Sequence, residues 1–413
     1  MVATGLGVVT SVGAGKSENW TKLSAGRSGI HTISRFCTEH LRTRIAGTVD
    51  FLPVEPLSTP SLSERLGAVA GEEAVAQARI GRKGDFPGPL FLGVPPIEIE
   101  WPQRRALAQA SGTADITYDD LLRVAAGETF RPLYSRFKYD SVADALANMF
   151  GTKGSPISLT TACASGASAI QLAVEAIRRG ESDAALVIGA DGSVNQEALI
   201  RFSLLSALST ANEPPKAAAK PFSKDRDGFI MAEGAAALVL ESYDAAKGRG
   251  AAIAGVIEGC GEMADSYHRT RTRPGAGPIT GCIRNALDDA GLGSEDIDYI
   301  NAHGTGTLEN DKMECLGITS VFGERARSVP ISSNKSMIGH TMSAAGAIEA
   351  VFTFLTLEHQ RLLPTINYRI PDPMLVFDVV PNQARDATVR HALSNSLGFG
   401  GQNVSLVMAR EPA

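Results

Sequence analysis

From Ser155 to its C-terminus the chain alternates short apolar, β-branched runs with alanine-rich amphipathic stretches, and that alternation restricts it to the α/β class. Residues 156–161 and 184–190 read as buried strands, with a helix over 167–179 that stops at Gly180. The helix puts Ile170, Ala173, Val174 and Ile177 on one face. Strands at 235–241, 251–258, 297–301, 328–333 and near 403–409 follow, with helices at 277–291 and 343–358. The segments beginning SPISLTTACASGASAI and SVPISSNKSMIGHTMSAAGAI share one layout of strand, loop and small-residue helix start, which hints at internal duplication. Two fused halves are therefore expected, 1–250 and 251–413. Prolines 87, 89, 95, 96 and 102 break any long element in 81–135, where only loops and short helices are assigned.

The 413 residues can bury a large core, and 42 glycines exceed the usual share, implying many tight turns. A net charge of -6 argues against a nucleic-acid binder that relies on a basic surface. No apolar run approaches the roughly 18 residues of a membrane span. The start lacks a basic, then apolar, leader, so a cytoplasmic protein is expected. Five widely spaced cysteines, with no CxxC, suggest neither a disulfide framework nor a metal site.

One cysteine stands apart. Cys163, in TTACASG, falls where a strand ends and a helix begins, so its sulfur is expected at the helix N-terminus, where the dipole and free N–H groups stabilise a thiolate and an oxyanion. His303 in NAHGTGT and His340 in NKSMIGHTMSAAG lie in glycine-containing loops after strands, where α/β folds place side chains over a site. His31, His40, His359 and His391 lack such surroundings and read as surface or core residues. HGTGT lacks the GKS/T ending of a P-loop, so nucleotide binding is a poor fit. Lys335 offers a charge partner for Asp311, Glu314 or Glu349. In GFGGQN, Phe399 sits among three glycines, as a turn or as an aromatic able to swing over a pocket. One cysteine with two histidines suggests acyl transfer to a thiol, then chemistry that needs two hydrogen-bond donors.

TACASG, HGTGT, KSMIGH and GFGG, supported by DRDGFIMAEGAAALVLE (225–241), ALST (207–210) and TGLGVVTSVG (4–13), together resemble the elongating β-ketoacyl-acyl carrier protein synthases of the thiolase superfamily. The resemblance spans nearly the whole chain, is strongest from 155 to 409 and fades at 81–135. It implies a five-layer αβαβα fold of two similar halves, with their first helices packed in the middle. It implies that Cys163 takes an acyl chain from carrier protein and that His303 and His340 stabilise the enolate formed when malonyl-carrier protein loses carbon dioxide. The backbone N–H groups of Cys163 and Phe399 would hold the tetrahedral oxyanion. Lys335, Asp311, Glu314 and Glu349 would form a supporting charge network. Thr305, Thr307 and Thr270 would bind the phosphopantetheine arm supplied by the carrier protein, Phe399 would gate the acyl pocket, and no cofactor would be bound. A homo- or heterodimer is implied.

Some positions depart from the family pattern. The stretch facing the carrier protein, SLSERLGAVAG (61–71), has Arg65 as its only basic residue. Ser206 replaces a frequent arginine, and GGQN stands for GGTN. A specialised carrier, an unusual acyl chain or a heterodimeric partner would account for them. Two other readings stay open: a polyketide-type ketosynthase working with a synthase-like partner, and a non-catalytic chain-length partner. Retention of Cys163, His303 and His340 weighs against the second. A thioesterase-like hydrolase fits least.

Overall fold

The computed structural model describes residues 1–112, 115–375 and 377–411, so the reading of 81–135 at positions 113 and 114 lies outside the described residues. Its strands are β1 (Val2–Thr10), β2 (Leu90–Gly93), β3 (Ile157–Leu159), β4 (Ala184–Asp191), β5 (Gly234–Glu241), β6 (Gly255–Ala264), β7 (Tyr299–Asn301), β8 (Ile331–Ser332), β9 (His391–Leu397) and β10 (Gln402–Ala409). Across one continuous sheet they run β8-β7-β9-β10-β6-β1-β5-β4-β2-β3. Adding five to each number of β3-β2-β4-β5-β1 gives β8-β7-β9-β10-β6, so the order repeats. The pairing senses repeat too: β2 and β7 are parallel to both neighbours, and the other pairs are antiparallel. The two units join where β1 meets β6 at Val2–Val256 and Ala3–Gly255.

The principal helices are α1 (Thr59–Ala78), α2 (Trp101–Ala110), α3 (Tyr118–Ala125), α4 (Arg131–Arg136), α5 (Ser141–Phe150), α6 (Ser165–Arg178), α7 (Gly277–Ala290), α8 (Leu308–Phe322) and α9 (Ala345–His359). The α1 helix covers β1, β4 and β5 from outside, α7 covers β6 and β10, and α6 and α9 fill the space between. The result is helix, sheet, helix, sheet, helix. Every residue of α9 from Ala345 to Leu357 is buried, as befits a mostly apolar helix enclosed on all sides, with Glu349 its one charged residue in that stretch.

The small residues at the starts of α6 and α9 have a reciprocal use. A Cβ on Gly166 would lie 2.6 Å from the Ala347 nitrogen, and one on Gly346 would lie 2.6 Å from the Ala167 nitrogen. The backbones touch at these glycines. The turns leading in match as well: Ala162, four residues before Gly166, has φ 48°, and Met342, four before Gly346, has φ 44°. Both are left-handed conformations that a side chain disfavours.

Several strands differ from the sequence reading: β1 lies ahead of the segments assigned there, β6 runs Gly255–Ala264 rather than 251–258, and β2 and β9 were missed. Segment 81–135 holds the short helices expected, but also β2, fully buried between β3 and β4. Its four residues LFLG are bounded by Pro89 and Pro95, and these prolines mark the strand's ends rather than exclude a strand. The β9 strand was not expected either, because its centre is Ser394, Asn395 and Ser396, polar residues that hide a buried strand from a hydrophobicity pattern.

Candidate active site

Cys163 sits on the turn between β3 and α6. The Ser165 hydroxyl accepts from the Thr161 N–H (2.9 Å) and donates to the Ala162 carbonyl (2.6 Å), tightening the turn around the strained Ala162. The thiol is 5% exposed, and burial pushes it up to about 11 against the pull of the Phe399 N–H and the charge of Lys335. Loss of solvation and the helix N-terminus thus act on this thiol in opposite senses.

His303 leaves the end of β7. Both carboxylate oxygens of Glu314, on α8, accept backbone N–H groups here, one from His303 and one from Gly304, each at 2.8 Å. His340 is fixed by its main chain, which donates to the Ile230 carbonyl (2.7 Å) and accepts from the Ala232 N–H (2.9 Å). The Phe229 ring meets the His340 ring edge-on at 5.3 Å. The two imidazoles are each 2% exposed and stand nearly perpendicular, 5.3 Å between centroids. Burial first, and then the nearby positive charge of Lys335, holds both well below the usual histidine range, so both are neutral. Neither ring nitrogen of His340 has a hydrogen-bond partner among the described residues. The Cys163 sulfur and a ring nitrogen of each histidine all lie within 4.8 Å of one another.

Lys335 reaches His303 Nδ1 at 3.4 Å and pairs with Glu349 of α9. An ammonium donating to Nδ1 leaves the imidazole proton on Nε2, making His303 a donor toward the site. Cys163, His303 and His340 have metal-ligand chemistry and lie close enough together to offer three ligands. The ammonium of Lys335 would repel a cation.

The three acidic candidates divide. Glu349 contacts Lys335, and burial raises its carboxyl to about 7. Glu314 is raised to about 7 by the same cause, but binds the His303 turn and Asn395 (3.3 Å). Asp311 is buried beside Arg226 (3.4 Å), where it accepts from the N–H groups of Phe222 (2.8 Å) and Gly306 (3.1 Å). Only Glu349 is therefore a partner of Lys335; the other two shape the His303–Thr307 loop. The Thr305 and Thr307 hydroxyls lie 3.0 Å apart, and Thr307 also caps α8 by accepting from the Asn310 N–H. Thr270 is half-buried, its hydroxyl 3.3 Å from His268. The Phe399 side chain packs against an apolar cluster that includes Ile33, Leu199, Phe229 and Met342. Of the histidines set aside, His31 bonds Thr48 and Asp50, His359 stacks on Trp20, and His391 bonds Glu258.

Sequence reasoning missed Arg226, Phe229, Asn395 and Asp191. The first two were in view within DRDGFIMAEG, without a role. Asp191, raised to about 6 by burial, ends β4 and accepts from the Ser343 N–H (2.9 Å) at the entry to α9.

Residues 102–246 match the family model described as beta-ketoacyl synthase, N-terminal domain, and residues 254–369 the corresponding C-terminal domain. Over 417 residues, covering 99% of this chain and 98% of its relative, the chain is 37% identical to 3-oxoacyl-[acyl-carrier-protein] synthase 2 of Coxiella burnetii. A type II polyketide ketosynthase solved with its acyl-carrier protein and a bound hexaketide superposes with TM-score 0.88 at 33% identity, covering 100% of this chain and 99% of that one. The ishigamide ketosynthase/chain length factor superposes with TM-score 0.85 at 34% identity and the same coverage. The fold, the order of the elements and these likenesses agree: the chain belongs to the β-ketoacyl synthase family of the thiolase superfamily.

Proposed function

We propose that the protein is a 3-oxoacyl-[acyl-carrier-protein] synthase that condenses malonyl-carrier protein with an acyl chain held on Cys163, extending it by two carbons in fatty acid synthesis. The observation that carries this reading is the cluster of one thiol and two neutral imidazoles within 4.8 Å, with the Phe399 N–H on the sulfur. In the first half-reaction, the Cys163 sulfur attacks the carrier thioester, and the thiol proton leaves with the carrier's sulfur. Neutral imidazoles beside it can relay that proton. In the second, the malonyl carboxylate departs as carbon dioxide and its bonding electrons form the enolate. The Nε2–H of His303 and a ring N–H of His340 donate to the enolate oxygen. The enolate carbon attacks the acyl carbonyl, whose oxyanion rests on the N–H groups of Cys163 and Phe399, and collapse expels the Cys163 thiolate, which takes up a proton.

Thr270, Thr305 and Thr307 are assigned to the phosphopantetheine arm, the last two because they line the loop that presents His303. The site is closed over Cys163, so Phe399 is read as the gate that an acyl chain displaces. The two-unit division near residue 250 belongs to this reading, supported by the repeated strand order. So does dimerisation, homo- or heteromeric: β3 ends the sheet with Ile157 43% exposed, whereas the opposite edge is covered where Ile331 donates to the Asp378 carbonyl. No helix among the described residues is long and apolar enough to cross a membrane, and a cytoplasmic setting belongs to this reading.

The likeness to two polyketide ketosynthases favours one second reading, a ketosynthase subunit acting with a partner. Mass spectrometry of the protein incubated with acyl-carrier proteins and then malonyl-carrier protein tests both. An acyl adduct on Cys163, absent in Cys163→Ala, that leaves as one 3-ketoacyl product supports a chain-extending synthase. Products of several unreduced extensions, formed only with a second subunit, support the polyketide reading. No adduct from any carrier, with or without a second subunit, sinks both and leaves a non-catalytic partner.

A further inference from the structure

Because neither ring nitrogen of His340 has a partner among the described residues, its imidazole is placed by its main chain and by the Phe229 and His303 rings packed on it. That main chain is the edge of a small patch of parallel bridges, in which Met231 pairs with His340 and Gly47 pairs with Ala232. The Ala232 N–H donates to the His340 carbonyl (2.9 Å). On the far side of the patch the Gly47 N–H donates to the Met231 carbonyl (2.9 Å), and the Glu233 N–H donates to the Gly47 carbonyl (2.9 Å). The same 29–47 stretch presses on the turn before His340. There the Gly29 N–H donates to the Met337 carbonyl (2.9 Å), and a Cβ on Gly47 would stand 2.4 Å from the Ile338 oxygen.

A buried ion pair holds the patch together. Glu233 is fully buried, and its carboxylate accepts the Val49 N–H (2.9 Å) and pairs with Arg35 Nη1 (2.6 Å). Arg35 Nε reaches Asp50 Oδ1 (2.5 Å), while the other oxygen of Asp50 accepts from the Thr48 hydroxyl (2.8 Å) and meets His31 Nε2 (2.9 Å). One guanidinium thus forks across two carboxylates, a task that suits its planar set of donors. It ties the 31–50 segment to the residue next to Ala232. Neither Arg35 nor Glu233 bonds to Cys163, to His303 or to the His340 ring among the described residues.

Resting on the condensing function proposed above, we infer that Arg35 is a positioning residue for His340. Its bridge between Asp50 and Glu233 fixes the strand patch, and with it the place from which a His340 ring N–H meets the enolate oxygen. Cys163 and His303 rest on other supports, the Ser165 hydroxyl and the Glu314 carboxylate. Loss of the bridge therefore falls on the decarboxylating half-reaction and spares acylation of Cys163.

The test compares wild type with Arg35→Met, Arg35→Lys and the paired variant Arg35→Met/Glu233→Leu. Arg35→Met leaves Glu233 a buried charge without its partner, whereas the paired variant removes both charges and should bring the urea midpoint back near that of wild type. The readouts are carbon dioxide release from malonyl-carrier protein, Cys163 acylation from acyl-carrier protein by intact mass, and the imidazole nitrogen resonances of protein isotope-labelled at histidine, with His340→Gln supplying the assignment. In the paired variant carbon dioxide release should fall about ten- to a hundredfold, as a small misplacement of a reacting group does, while acylation stays within about threefold of wild type. The His340 resonances should move and those of His303 should stay. Arg35→Lys keeps the charge without the fork and should regain part of what Arg35→Met loses. Wild-type carbon dioxide release in the paired variant overturns the proposal, by making the ion pair a support of the fold alone. An equal fall in acylation overturns it as well, since the damage would then reach beyond His340. If wild type neither acylates nor releases carbon dioxide, the resonances decide: a moved His340 signal keeps the positioning role while the condensing function falls, and an unmoved one ends both.

Discussion

At the residue scale, burial governs the chemistry. The Cys163 thiol is pushed up to about 11, so the rate of alkylation by iodoacetamide, followed by intact mass, should climb about tenfold per pH unit from about pH 7 to 10 without levelling. A plateau near pH 8 would show a thiolate stabilised after all. Lys335 and Glu349 are both buried and paired. Lys335→Met leaves Glu349 without its counter-charge and should cost about 3–5 kcal/mol in urea unfolding. Adding Glu349→Gln should recover most of that stability. Neither variant should condense malonyl- and acyl-carrier protein at a normal rate, because His303 loses the donor that fixes its tautomer. The residues proposed to react were legible in the sequence because each carries its own local punctuation: a small-residue turn around Cys163, glycines around His303 and before His340. Their charge partners were not, since nothing in linear order tells Lys335 that Glu349 lies across a helix turn while Asp311 lies beside Arg226.

At the element scale, contact between α6 and α9 sets the distance between the turns that carry Cys163 and His340. Gly346→Ala would drive a methyl group into the Ala167 backbone. It should destabilise the protein by about 1–3 kcal/mol, an overpacking cost, and lower the condensation rate more than the rate of Cys163 alkylation. Equal effects on both would argue that the helix contact holds the fold without setting the site. The segment 225–233 is the clearest case of partial legibility. It was visible as a resemblance, but its work is three-dimensional: Arg226 on Asp311, the Phe229 ring on His340, Ile230 and Ala232 bonded to the His340 main chain, and Glu233 paired with Arg35 (2.6 Å). The β2 and β9 strands escaped notice for opposite reasons, one too short between prolines and the other too polar at its centre.

At the scale of the whole molecule, Glu233, Glu314 and Glu349 are each raised by burial to about 7, above the ordinary value of about 4.3 for an unfolded chain. A raised carboxyl contributes stability that is complete at low pH and lost as pH rises through its folded value. The two neutral histidines act in the opposite sense, but only below about pH 6.5, where an unfolded histidine takes up a proton. The urea midpoint should therefore increase as pH falls from about 8 to 6.5, and Glu314→Gln should flatten that increase. A flat wild-type profile would mean that these carboxyls ionise as freely in the fold as outside it. The β3 edge, unpaired among the described residues, predicts that the proposed dimer gives way to monomer in Ile157→Lys by sedimentation velocity; an unchanged distribution would move the interface elsewhere.

The repeated strand order places Ser343 where its twin unit has Cys163, three residues ahead of the paired glycines. The backbone N–H of Ser343 is taken by the carboxylate of Asp191, which acts as a permanent internal occupant. One turn of the pair thus carries the Cys163 thiol beneath the Phe399 loop, while its double is stoppered by the chain itself. Drawing that stopper, with Asp191→Ala, would turn a built-in symmetry into an engineering handle, since the vacated turn already has the left-handed backbone shape of the turn proposed to hold the nucleophile.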